Sequence, residues 1–231
     1  MTDRLEDLYA TLRTGTTVKS FLEKRANIFE FIRTQGLAED YRLGKGRLKQ
    51  LRDEVTPVAR FIRTQHAGPN DQIRFALGNT APDCIISRSD GSTLQIEVTV
   101  ARARERCALM EKLNEVGEIH GLIDLVDDAP LQQFRERAEE NADPNKAQAY
   151  SAEMAIDLIA DSVKHRAERK VGHQADILLI EIVPDMYALS GRRWDELRAE
   201  LVKNPTIRNL VFGDVYLTGY GESGDLCLKI K

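Results

Sequence analysis

The sequence predicts a mixed α/β domain, and three observations predict it. Apolar residues recur at helical spacing through the first 65 positions. The period drops to two after the turn cluster Gly68-Pro69-Asn70-Asp71. A stretch free of Gly and Pro, 146–170, then leads to Ala175–Val183, a run apolar enough to be buried on both faces, as in the middle of a mixed sheet. At 231 residues with 42% hydrophobic side chains, the chain can bury a large core without staples.

In the first helical region, Val18, Phe21, Leu22, Arg25, Phe29 and Ile32 fall three and four apart, and Gly36 is a plausible stop. Leu48, Leu51, Val55, Val58 and Ile62 line one face of a second stretch. Pro57 interrupts it, which predicts a kink or a fresh start capped by Thr56. Ile73, Phe75 and Leu77 then alternate with polar partners, and Asp83–Arg88 and Thr93–Val100 form two more strands. Ser89-Asp90-Gly91 between them suits a three-residue hairpin loop, with Gly91 in the left-handed position. Residues 102–145 are charged and helix-forming. Ile156, Ile159, Ala160 and Val163 give the long helix 146–170 an apolar stripe. A helix from Trp194 to Lys203 and closing strands Leu210–Thr218 and Leu226–Ile230 complete the chain. The expected organisation is a helical N-terminal region, 1–65, and an α/β core, 66–231, with an acidic helical insert at 102–145.

With 33 basic and 37 acidic residues, the net charge of −4 excludes a globally basic nucleic-acid coat and an acidic disordered tail. The balance is uneven, because residues 1–110 carry 18 basic against 14 acidic side chains. Residues 111–143 carry 3 against 10. No apolar run approaches the roughly 20 residues of a membrane span, and the charged start Met1–Asp7 is unlike a signal peptide, so a soluble, cytoplasmic protein without a membrane partner is expected. Cys84, Cys107 and Cys227 are too few and too scattered for a disulfide framework or a structural zinc site.

The chemistry concentrates in Ala81-Pro82-Asp83 and Gln95-Ile96-Glu97-Val98-Thr99. Strand alternation sends Leu94, Ile96, Val98 and Val100 to one face, the core, and Gln95, Glu97 and Thr99 to the other. A three-residue loop pairs Arg88 with Ser92, and counting back sets Asp83 opposite Glu97, with Cβ atoms roughly 5 Å apart. Two carboxylates that close must be neutralised by a proton or a cation. Oxygen ligands completed by water suit Mg²⁺ or Mn²⁺ rather than zinc.

In these residues the chain resembles the PD-(D/E)xK nucleases, the superfamily of restriction endonucleases and many repair nucleases. The resemblance covers about residues 46–183, with Pro82-Asp83 and Glu97-Val98-Thr99 on the motif positions. It implies a restriction endonuclease-like sheet core flanked by helices. It also implies a divalent metal held by Asp83, Glu97 and the Val98 carbonyl, with Glu54 as an additional acidic ligand. Thr99 replaces the motif lysine, so the positive charge must come from another element; Lys146, Arg102 and Lys112 are the candidates, Lys146 first. Gln95 or Thr99 could position the attacking water. Of the four histidines, His173, just before the central strand, is the one to follow.

The function expected from this resemblance is metal-dependent phosphodiester hydrolysis on DNA, or RNA. Arg60, Arg63, Arg74, Arg88, Arg102, Arg104 and Arg106 lie near the motif in sequence and could meet phosphates. Loss of the lysine favours the alternative, an inactive nuclease-like domain that binds nucleic acid or protein. A third reading is an unrelated scaffold whose acidic 111–143 segment meets a partner. The N-terminal helices could serve dimerisation, giving a homodimer. No GxGxxG, P-loop or GxSxG is present, which disfavours dinucleotide, nucleoside-triphosphate and serine-hydrolase chemistry.

Overall fold

The computed structural model describes residues 2–65, 67–78, 80–101, 132–133, 136, 152–182, 191–221 and 224–231. The chain begins with α1 (Thr2–Thr14), β1 (Thr16–Thr17), α2 (Val18–Thr34) and α3 (Ala38–Leu43). α4 (Leu48–Gln50) passes through a π-helical turn (Leu51–Val55) into α5 (Thr56–Gln65). A meander follows, β2 (Gln72–Phe75), β3 (Cys84–Ser87) and β4 (Thr93–Ala101). Beyond it lie α6 (Ala152–Glu168), β5 (Ile177–Ile182), α7 (Gly191–Lys203), α8 (Pro205–Arg208), β6 (Asp214–Gly221) and β7 (Gly224–Lys229).

Seven strands form one sheet in chain order. β1 to β4 pair antiparallel, β4–β5 and β5–β6 are parallel, and β7 closes antiparallel on β6. The protein is therefore a mixed α/β fold with helices on the sheet. β5 is buried along its whole length, as its apolar run predicts. Its Ile177 and Leu179 join a core with α1, α2 and α5, while Leu178, Ile180 and Ile182 join a second core with α6 and α7. Each fully buried side chain of this size contributes roughly 1.5–3 kcal/mol.

Several local expectations are corrected. Thr56 has helical φ and ψ and caps nothing. Instead its N–H and its hydroxyl both donate to the Leu51 carbonyl five residues back. The wider π turn absorbs Pro57, which has no N–H to donate. β2 stops at Phe75; Leu77 is buried but has a positive φ of 50° and lies outside the strand. β6 begins at Asp214 rather than Leu210 and continues through Gly219, where a Cβ would stand 3.1 Å from the Trp194 ring. Thr16-Thr17, inside the expected helical region, adds an edge strand to β2.

Candidate active site

Every pair of the β3–β4 ladder keeps the register expected from the hairpin. Ser87 faces Thr93 and Cys84 faces Ile96. The Arg88 N–H donates to the Ser92 carbonyl at 2.8 Å, and Gly91 has a φ of 84°. One step beyond the ladder, Asp83 therefore stands opposite Glu97. The Val98 N–H donates to Asp83 Oδ2 at 2.7 Å, so β4 orients the carboxyl of β3.

The face carrying Glu97 is not open as alternation alone suggested. The chain leaves β4 at one end of the sheet and must return to start β5 beside Ile96. α6 makes that return, and its last turn and the following residues arrive next to Glu97. Glu97 is consequently only 1% exposed. Lys170 Nζ donates to Glu97 Oε1 at 2.5 Å, and His173 Nδ1 lies 2.8 Å from the same oxygen. Lys170, absent from the sequence candidates, is thus the cation that the fold delivers. Lys146, Arg102, Lys112, Arg104 and Arg106 lie outside the described residues, as does most of the acidic segment.

Asp83 and Lys170 border a cleft of about 500 Å³, with Glu54, Val98 and Thr99 on its walls. The π turn brings Glu54 there beside Asp53, and the two acids are treated differently. Burial opposes the charge on Asp53, but Arg52 at 2.5 Å and Lys49 at 2.9 Å hold its carboxyl below the ordinary value. Burial, and then the Asp83 charge, push Glu54 up to about 7. Burial also raises Asp83, the Val98 N–H pulls it down, and Glu97 raises it again, to about 6. Glu54 Oε2 and Glu97 Oε2 are buried and accept no hydrogen bond among the described residues. A buried acceptor left unmade costs roughly 1–3 kcal/mol, more when charged.

The other sequence candidates fall apart from this cluster. Gln95 is exposed and does not border the cleft, and its N–H donates to Asp176 Oδ2 at 2.7 Å. Arg60 and Arg63, expected near phosphate, are committed elsewhere. Arg60 pairs with Glu181 and Asp225, and Arg63 pairs with Asp225 at 2.9 Å. Glu181 also accepts from Thr218 at 2.6 Å, so this buried network ties α5 to β5, β6 and β7.

The donor set Asp83, Glu97 and Glu54 is all oxygen, the chemistry of a hard divalent ion, and two of its buried oxygens lack partners. That fits a cation. Among the described residues no three His, Cys, Asp or Glu groups already form a metal cage. No family model, curated protein or solved structure matches the chain. Among the described residues, no helix is long and apolar enough to cross a membrane.

Proposed function

We propose that the protein is a metal-dependent phosphodiesterase acting on DNA, with a restriction endonuclease-like core. The observation that carries this reading is the Asp83–Glu97 pair, set face to face by the hairpin, with the unpartnered buried oxygen of Glu97 and that of Glu54 on the adjacent π turn. The order of α4–α5, the β2–β4 meander, α6 and β5 supports it. Asp83, Glu97 and Glu54 would hold Mg²⁺ or Mn²⁺, which when bound lowers the pKa of water and offsets phosphate charge. Val98 fixes Asp83 through its N–H, and its carbonyl is the fourth expected donor. Lys170 supplies the positive charge that Thr99 cannot, reaching the site from the turn after α6. Thr99, on the cleft wall, is placed to hydrogen-bond a water or a phosphate oxygen.

A second reading rests on the same lysine. Lys170 already compensates Glu97, so the fold can persist with no metal, as a binding module would. Incubation of the full chain with plasmid and linear DNA, with and without Mn²⁺, separates the two. Metal-dependent cleavage lost in Asp83→Asn and Glu97→Gln supports the enzyme. Binding without cleavage at any metal concentration supports the module.

A further inference from the structure

We infer that the face of the β2–β3 pair carrying Arg74 and Ile85 is the track for the DNA strand that enters the site. The inference rests on the phosphodiesterase reading above and says where its substrate lies. Ile73, Phe75, Cys84 and Ile86 are buried in the core, so Arg74, Asp83 and Ile85 point to the opposite face. Register places them in rows. Arg74 faces Ile85, and Ile85 faces Gln95. In the next row, the Ala76 N–H donates to the Asp83 carbonyl at 2.9 Å, and Asp83 stands opposite Glu97. Two residues along a strand span about 6.8 Å, roughly one nucleotide of an extended chain.

Arg13, from the last turn of α1, joins Arg74 around a groove of about 360 Å³ whose floor includes Ala81, Pro82 and Ile85. Pro82 on this groove is the residue before Asp83. Both arginines are exposed, and among the described residues neither has a carboxylate partner. Arg33, by contrast, is equally exposed but spent on Glu30 at 2.5 Å. Two free guanidiniums over a small apolar floor, one row from a pair of carboxylates, suit the phosphates flanking a scissile bond. Arg13 and Arg74 bind those phosphates. Gln95, in the Arg74 row, contacts the strand rather than the attacking water.

The test uses the full chain carrying Asp83→Asn, which abolishes cutting, and a labelled DNA duplex titrated by anisotropy at several salt concentrations. Arg13→Ala and Arg74→Ala should each weaken binding about tenfold, the worth of one charge-assisted hydrogen bond. Each should also flatten the log–log salt slope by about 0.9. Arg33→Ala should change neither. In the cutting-competent chain, the double variant should raise KM and leave kcat nearly intact. If the parent binds and cuts DNA while both variants keep their affinity and slope, the track is overturned and the phosphodiesterase reading stands. If the parent neither binds nor cuts DNA, that reading falls and the track falls with it. Preference for the matching RNA overturns DNA as the occupant.

Discussion

Lys170 Nζ reaches Glu97 Oε1 at 2.5 Å across 73 residues of sequence, so the turn after α6 is fastened to the middle of β4. Removing one partner of a buried ion pair costs roughly 3–5 kcal/mol because the other charge is left uncompensated. His173 beside the same oxygen will soften that loss. Lys170→Met should therefore lower the Tm, and adding Glu97→Gln should recover much of it. Cleavage by Lys170→Met should fall about 100- to 1000-fold, the usual cost of one preorganised charge, with partial rescue by Lys170→Arg. A Tm drop with full cleavage would confine Lys170 to a structural role.

Thr99→Lys restores a lysine at the position where the resemblance expects one. With Lys170 already in the cleft, it should change kcat by less than about tenfold, measured under saturating DNA. A large gain would mean that Lys170 does not fill the role.

Millimolar Mn²⁺ should stabilise the parent by mass action, about 2.7 kcal/mol at a hundredfold excess over Kd, read as a higher Tm. Glu97→Ala should scarcely move. Equal shifts in the two proteins would locate the ion elsewhere.

Asp83 and Glu54 titrate near 6 and 7 in the fold, above their ordinary values of 3.8 and 4.5. The folded protein thus retains protons that the unfolded chain has released. Without metal, stability should fall as pH rises from about 4 to about 7, the opposite of a salt-bridged acid. Glu54→Gln should flatten that slope and raise the Tm at about pH 8, with little effect at about pH 4. Because a cation competes with those protons, stabilisation by Mn²⁺ should grow over the same range. Denaturant melts across this pH range, with and without metal, read all three effects.

Gly44, on the cleft wall, has a φ of 66°, and a Cβ there would stand 2.4 Å from the Arg52 guanidinium. Gly44→Ala combines left-handed strain with displacement of Arg52 from Asp53 and from the Arg42 carbonyl. A loss of roughly 1–3 kcal/mol is expected, with Mn²⁺ binding weakened through the shifted π turn. Gly36→Ala, at the same φ with nothing within 4 Å, separates strain from collision.

What could be read from sequence was local. Gly91 sets the loop length, the loop length sets the register, and the register puts Asp83 opposite Glu97. The unread part depended on chain direction. A helix linking parallel strands must end beside the start of the second strand, so the end of α6, not its beginning, comes to Glu97. Attention to that geometry points to Lys170, three residues before the His173 that the sequence singles out, instead of a lysine at the helix start. Burial of Glu97 and the pairing of Arg60 with Glu181 were equally out of reach. Each depends on a neighbour from an element far away in sequence.

The π turn at Leu51–Val55 is a one-residue insert in an otherwise regular helix. It holds one residue more than an α-helical path between the same ends, and each α-helical residue advances about 100°. Val55 and Val58 stay on the core face across the turn, while Glu54 within it borders the cleft. Deleting a single residue between 51 and 55 would let an α-helical path join the same ends, so α4 and α5 would keep their phase while Glu54 and its neighbours turned about the axis. The apolar seam would keep its direction, and the acid would turn away from the cleft. Losing a residue here should therefore empty the cleft of its acid before it unsettles the fold, whereas losing one at the exposed hairpin tip Ser89-Asp90 would shift the β3–β4 register itself.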